Sequence, residues 1–393
     1  MMRTAIIGGG AAGFFLSICL KERRPEMEVT ILERSQRVLA KVKVSGGGRC
    51  NCTNSFEHVA DLSAVYPRGH RLLKRLFKQF GPEEAYAWFE RHGVRLVTQD
   101  DDCVFPASQD SQTIIDCFLR EAERHQVHIR TGVRISSLDE LRDYDFVAVC
   151  TGGSPRAEGL QWLADAGHEV MPPVPSLFTL SIVDAAFRDL MGTVVEDVTI
   201  MLPGTKLRAS GPLLITHWGV SGPAVLKLSS YAARHLSEQA YVVPLIINWT
   251  GATDAEVLQT LQVLQRVHDH KQLHTIRPYD LPTRLWEYLL EKTMKGRARE
   301  RWDSLGQKDL NRLVHALTND SYETSGRAAF RDEFVTCGGI ALTSVYPATL
   351  ESRHVPHLYF AGEVLDIDGI TGGFNFQAAW TTAYAVAAAI SAL

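Results

Sequence analysis

Residues 3–33 read RTAIIGGGAAGFFLSICLKERRPEMEVTILE, and the order of residue types in this stretch decides the fold. A short apolar run, 3–7, stops at Gly8-Gly9-Gly10. A helical pattern follows, with Phe14, Phe15, Ile18 and Cys19 spaced for burial, and Pro25 closes it. Residues 29–33 then form a second apolar run that ends on Glu33. Strand, glycine turn, helix and strand within about thirty residues make a parallel βαβ unit. The turn carries Gly8-x-Gly10-x-x-Gly13. Gly8 permits a tight turn, Gly10 lets backbone approach a pyrophosphate, and Gly13 lets the helix lie close to the sheet. The helix start offers free N–H groups to phosphate, and Glu33 is placed to accept hydrogen bonds from an adenosine ribose.

Working outward, 145–150 (DFVAVC) is another buried strand, ending at Thr151-Gly152-Gly153. The texture changes after Pro172, Pro173 and Pro175. Short β-type runs (179–183, 194–202, 241–248) dominate to about residue 250. A helical pattern then carries Leu258, Leu261, Leu264, Leu285, Tyr288 and Leu289. The β-type tone returns near Phe334, and 358–361 (LYFA) reads as a core strand. A middle segment is therefore expected to interrupt an α/β domain built from both ends of the chain.

The 393 residues suffice for two or three domains, and 45% hydrophobic with 22% charged residues is ordinary for a folded protein. Lys+Arg 41 against Asp+Glu 45 leaves a net charge of −4, so no global basic field exists for nucleic acid or an anionic membrane. The alanine-rich C-terminal stretch is too weak for a transmembrane span. Seven cysteines without a CxxC pair, and fourteen histidines without HExxH spacing, predict no metal site. With no secretory leader pattern at the start, reduced thiols and a cytoplasmic location are the expectation. The cluster Arg68, Arg71, Lys74, Arg75 and Lys78 has helical spacing and is expected to be a solvated face.

One fingerprint does not separate FAD from NAD. Longer motifs do. Residues 41–54 (KVKVSGGGRCNCTN), 358–377 (LYFAGEVLDIDGITGGFNFQ), 216–223 (THWGVSGP), Phe105-Pro106 and 111–115 (SQTII) resemble a bacterial flavoprotein family. That family includes aminoacetone oxidase and 3-dehydro-bile-acid reductase and belongs to the two-dinucleotide-binding-domain flavoproteins. The resemblance implies an α/β fold with tightly bound FAD. A discontinuous Rossmann-like FAD domain (1–177 and 333–393) would carry an inserted β-barrel plus helical domain (178–332, β-rich over 178–250 and helical over 251–332). Two departures stand out: Leu39-Ala40, where relatives commonly carry glycine and a basic residue, and Ala383, where glycine is usual.

The expected cofactor-binding set is Gly8, Gly10, Ala12, Gly13, Glu33, Arg34, Lys41, Ser45, Gly46, Gly47, Gly48, Arg49, Asn51, Val133, Thr151, Gly152, Gly153, Gly362, Glu363, Asp366, Gly372, Gly373, Phe374, Asn375 and Gln377. Thr53 is a further polar candidate. Asp366 and Asp368 have an equal alternative as solvated turn carboxylates. A helix starting after Gly372-Gly373 would stabilise negative charge on a reduced flavin. The catalytic residue stays open. Cys50 and His217 are the candidates, and for both a structural role is favoured, since neither has an evident chemical partner in the sequence. The expected activity is hydride or electron-pair transfer between a small organic substrate and the flavin, with NAD(P)H as a transient co-substrate or oxygen as the other partner. Amine oxidation and reduction of an activated C=C bond are its two forms. The alternative is a non-enzymatic flavin-binding electron carrier or regulatory protein.

Overall fold

The computed structural model describes residues 1–327 and 335–393, which form two compact units, Met1–Pro175 with Val335–Leu393, and Ser176–Phe334. The first unit is built on a five-stranded parallel sheet in the order Leu358–Phe360, Phe146–Val149, Arg3–Ile7, Glu28–Glu33, His128–Thr131. Ile6 pairs with Ile31 on one side and Ala148 on the other, and Tyr359 extends the ladder beside Ala148. Strand Arg3–Ile7 thus lies between one neighbour that follows it directly and another from much later in the chain. Its carboxyl end is the switch point where open α/β sheets hold their ligands. The central strands are buried on both faces, as a sheet flanked by helices requires, while the edge strand His128–Thr131 is exposed along its length.

The two ends of the chain meet in one aromatic cluster. Helix Ala11–Arg23 packs on helix Phe374–Ser391, with Trp380 at 5.3 Å from Phe15, 5.6 Å from Phe89 and 5.6 Å from Phe118. The C-terminal helix is buried around most of its circumference, and its alanines allow this close approach. That burial explains the alanine-rich stretch without a membrane: among the described residues no helix is long and apolar enough to cross one.

The second unit contains a closed six-stranded barrel, Val194–Met201, Arg208–Ile215, Gly219–Ser221, Leu180–Ile182, Asp320–Arg327 and Pro244–Asn248. Helices Asp254–Val267, Thr283–Met294 and Gln307–Thr318 share its apolar core, which includes Trp249, Trp286 and Trp302. The helical reading of 251–332 therefore needs correction, because it ends at Thr318 and Asp320–Arg327 closes the barrel. Asp320, Tyr322 and Thr324 face inward in the strand's two-residue alternation. Likewise, helices Pro223–Tyr231 and Ala233–Glu238 interrupt the β-rich reading of 178–250. The expected boundary at 332/333 and the return near Phe334 lie outside the described residues.

Candidate functional site

The glycine turn of the first unit is shaped by two close approaches. Gly8 has φ +113°, and a Cβ there would sit 2.3 Å from the Cys150 carbonyl oxygen. At Gly13 a Cβ would sit 2.0 Å from the Gly8 carbonyl oxygen, so only glycine lets the helix lie on the turn. Gly10 is different. A Cβ there meets nothing within 4 Å, and Gly10 begins a helix with no side-chain cap and no acid in its first turn. Open space and uncapped N–H groups coincide where a pyrophosphate is expected. Beside them, Glu33 accepts from the Gly9 N–H at 2.8 Å and from both Ser35 N–H (2.8 Å) and Ser35 Oγ (2.7 Å). A carboxylate has about four acceptor positions, so one is left for a ribose hydroxyl. Val133 lies next to it, donating to the Glu33 carbonyl at 2.9 Å, and Arg34 is exposed.

Residues 45–48 form a turn with Gly46, Gly47 and Gly48 all at positive φ, and Ser45 Oγ closes it on the Val42 carbonyl at 2.8 Å. Side chains at Gly47 and Gly48 would point into open space. Arg49 lies exposed with its guanidinium 4.2 Å from the Phe105 ring centroid, a cation–π contact. Leu39, at the position noted as a departure, adopts φ +57° and donates its N–H to the Gly9 carbonyl at 2.8 Å. A left-handed conformation there is what a glycine would adopt without strain.

The segment after this turn holds the start of the C-terminal helix. Gly373, at φ +86°, is the N-cap; a Cβ would fall 2.2 Å from the Thr53 carbonyl oxygen. With its amide oriented to satisfy its neighbours, Asn51 donates to the Thr53 carbonyl at 2.8 Å and accepts from the Gly373 N–H at 3.2 Å. Asn54 Nδ2 donates to the Gly372 carbonyl at 3.0 Å, Thr53 Oγ1 to Gln377 Oε1 at 2.6 Å, and Trp380 Nε1 to the Cys52 carbonyl at 2.7 Å. Phe374, also buried, accepts from the Tyr66 hydroxyl at 2.8 Å through its carbonyl.

A third meeting point joins helix Ala40–Val44, strand Val335–Ile340 and the turns around Gly153 and Gly362. Glu363 Oε2 pairs with Lys41 Nζ at 2.9 Å, and Oε1 accepts from the Thr336 N–H at 2.8 Å. A Cβ on Gly153 would clash with Thr336 and Glu363, and one on Gly362 would lie 2.9 Å from the Ala12 Cβ. Thr151, Gly152, Lys41 and Glu363 are thus gathered beside the helix start.

Several expected contributors are placed otherwise. Gln377 is fully buried and spent on Thr53 and Thr381, and Asn375 closes its own loop by exchanging two hydrogen bonds with Gly369 (2.8 and 2.9 Å). Both hold the helix start and do not present a free amide to a ligand. Asp366 is half-buried, its N–H on the Ile340 carbonyl. Asp368 is not a solvated turn carboxylate, since at 1% exposure it forms an ion pair with Arg68. Arg68 correspondingly leaves the basic face. It precedes helix His70–Leu76, while Arg71, Lys74, Arg75 and Lys78 remain exposed. Cys50 is fully buried, and burial pushes its thiol up to about 12, the wrong direction for a nucleophile. His217 belongs to the second unit, exposed in the turn between Ile215 and Gly219 with its ring 4.1 Å from that of Trp218. Sequence reasoning missed Thr336, Thr382 (Oγ1 accepts from the Gly362 N–H at 2.9 Å), Asn54 and the Phe105 stack. Their partners lie far away in the chain, and only the phenylalanine and Asn54 fall inside recognised motifs.

The turns, the uncapped helix and the open direction at Gly10 fit an adenine dinucleotide. The first unit thus defines a Rossmann-type dinucleotide-binding protein. The model of the HI0933-like protein Rossmann domain matches residues 2–389, and the chain belongs to that family. The chain is 27% identical to the 3-dehydro-bile acid delta(4,6)-reductase of Clostridium scindens, covering 98% of each protein. It is also 27% identical to the ribosomal RNA dihydrouridine synthase of Escherichia coli, over 97% of this chain and 96% of that protein. Among solved structures, a 3-ketosteroid delta1-dehydrogenase from Sterolibacterium denitrificans overlays with a TM-score of 0.48 at 10% identity, covering 100% of both chains.

Proposed function

We propose that this protein is an FAD-dependent reductase that adds hydrogen across a C=C bond conjugated to a carbonyl, with electrons from NAD(P)H. Bound FAD supplies two-electron hydride chemistry. The chain's own residues bind and orient it. Gly8–Gly13 and the helix start receive the pyrophosphate, Glu33 the ribose, and Asn51 with Thr53 fixes the N-terminus of helix Phe374–Ser391. That N-terminus carries partial positive charge to favour an anionic ring edge. The observation that carries the reading is the convergence of both chain ends on one glycine-lined cradle at the sheet's switch point. The choice of C=C reduction over amine oxidation draws on the two relatives, whose names both describe saturation of such a bond.

A uracil ring and an unsaturated steroid share this bond type, so RNA re-enters as a partner class that the charge balance had set aside. A net charge of −4 removes a global field but not a local one such as the exposed Arg71, Lys74, Arg75 and Lys78. The test is anaerobic reduction of the yellow protein by NADH and NADPH, followed by a conjugated enone or uridine-bearing ribosomal RNA. Rapid bleaching and reoxidation by one of these acceptors is expected. Bleaching by small amines alone, with peroxide released on admitting air, would overturn the proposal.

A further inference from the structure

In the first unit, Leu358–Phe360 is an edge strand of the parallel sheet and leads directly into Gly362 and Glu363 of the cradle. Residues 350–352 line its outer side: the Ser352 N–H donates to the Leu358 carbonyl at 2.7 Å, and the Phe360 N–H to the Leu350 carbonyl at 3.1 Å. One buried side-chain pair fastens this lining. His168 and Ser352, each 3% exposed, meet at 2.7 Å between Nε2 and Oγ.

The hydrogen bonds around this pair fix where the protons sit. His168 Nδ1 lies 2.9 Å from the Leu163 carbonyl oxygen, which only accepts, so Nδ1 carries the ring proton and Nε2 accepts from the Ser352 hydroxyl. Ser352 Oγ itself accepts from the His354 and Val355 N–H groups, both at 2.9 Å. Its one donor and two acceptor positions are then all in use. A second proton on His168 would point at an oxygen with no lone pair to offer and would leave a charge in a buried site. Burial, joined by the His354 ring 5.1 Å away, holds the imidazole below its ordinary value against the Leu163 hydrogen bond. No neighbouring carboxylate offsets this. Asp165 takes Gln161 at 2.8 Å, Glu169 the Thr343 hydroxyl at 2.9 Å, and Glu351 the His357 N–H at 2.9 Å. Arg353 turns to the Val345 carbonyl and the Tyr346 ring, and Phe360 packs 5.0 Å from the imidazole.

We infer that His168 and Ser352 form an acid-released latch: protonation of His168 frees residues 350–357 from the edge strand and loosens the grip of the cradle on flavin. The second half of this statement rests on the reading that the cradle holds FAD; the first does not. A histidine held neutral in the closed state and free to charge in the open one favours opening as pH falls below 6.5, by up to about tenfold per pH unit. The test is hydrogen–deuterium exchange of the full-length purified protein at pH 7.5, 6.5 and 5.5, corrected for the intrinsic exchange rate. A peptide spanning 350–360 should lose protection about tenfold between pH 6.5 and 5.5, while helix Ala11–Arg23 keeps its own. The ratio of flavin to protein after gel filtration should fall over the same interval. His168→Gln, which offers an amide oxygen to Ser352 and does not titrate, should abolish the step. His354→Gln, at an exposed side chain, should keep the fold and blunt the step by removing the repelling charge. Constant protection of 350–360 in the wild type, or an unaltered acid step in both variants, would refute the latch. Opening with flavin fully retained would refute its link to the cradle. A colourless protein would count against the flavin reading alone, since the exchange measurement still decides the latch.

Discussion

At the scale of single residues, the cysteines answer a chemical question. All seven are free and buried. Burial pushes Cys50 up to about 12 and Cys103 and Cys117 to about 11, against an ordinary thiol near 9.0. The folded protein holds protons that the unfolded chain releases. These thiols therefore stabilise the fold fully below pH 9, and that contribution disappears as pH rises toward 12. Melting temperature should fall across that window, and less steeply in a Cys50→Ala variant. The same variant should retain its yellow colour and its turnover. Colour kept with turnover lost would show that the buried thiol takes part in the reaction.

At the scale of elements, the start of helix Phe374–Ser391 is the sensitive point. Thr53→Val leaves the Gln377 carbonyl oxygen buried without its donor, which costs ~1–3 kcal/mol in urea unfolding. Gly373→Ala forces a Cβ onto the Thr53 carbonyl oxygen in a backbone conformation suited to glycine. The helix start must then move. We expect that variant to remain folded but to lose flavin, read as the ratio of flavin to protein absorbance after gel filtration. Full flavin occupancy would mean that this helix start does not shape the cofactor cradle. The helix start at Gly373 was readable in the motif, but the task of Thr53 was not. Thr53 and Gln377 are 324 positions apart, and a polar residue's partner at that distance leaves no local periodicity.

For the molecule as a whole, Trp380 couples the chain ends through Phe15, Phe89 and Phe118. Trp380→Ala should cost ~3–5 kcal/mol, mostly from the cavity left behind. Because the cradle draws on both chain ends, the stability loss should be accompanied by weaker flavin retention. A variant destabilised to that degree with undiminished flavin affinity would argue that the cradle is independent of the joint between the ends.

The βαβ unit was legible from residues 3–33 because a glycine turn and the spacing of apolar residues are short-range signals, set by backbone sterics and burial within about thirty positions. The same holds for the strand at Phe146–Val149 and for Leu358–Phe360. Tertiary structure decided what local pattern cannot express. Arg68 has the spacing of a solvated helical face, yet it is drawn inward by Asp368, 300 residues away. Asp320–Arg327 follows a helical stretch, yet its place is set by the open edges of a barrel that needs a sixth strand to satisfy its hydrogen bonds. Asn375 and Gln377 look like ligand contacts in a motif, but the fold uses both to hold a helix in position. Residue type and spacing determine which elements form and which cofactor class they suit. Which polar groups remain available to a ligand depends on long-range pairing, because a buried donor or acceptor takes whatever partner the packed chain brings to it.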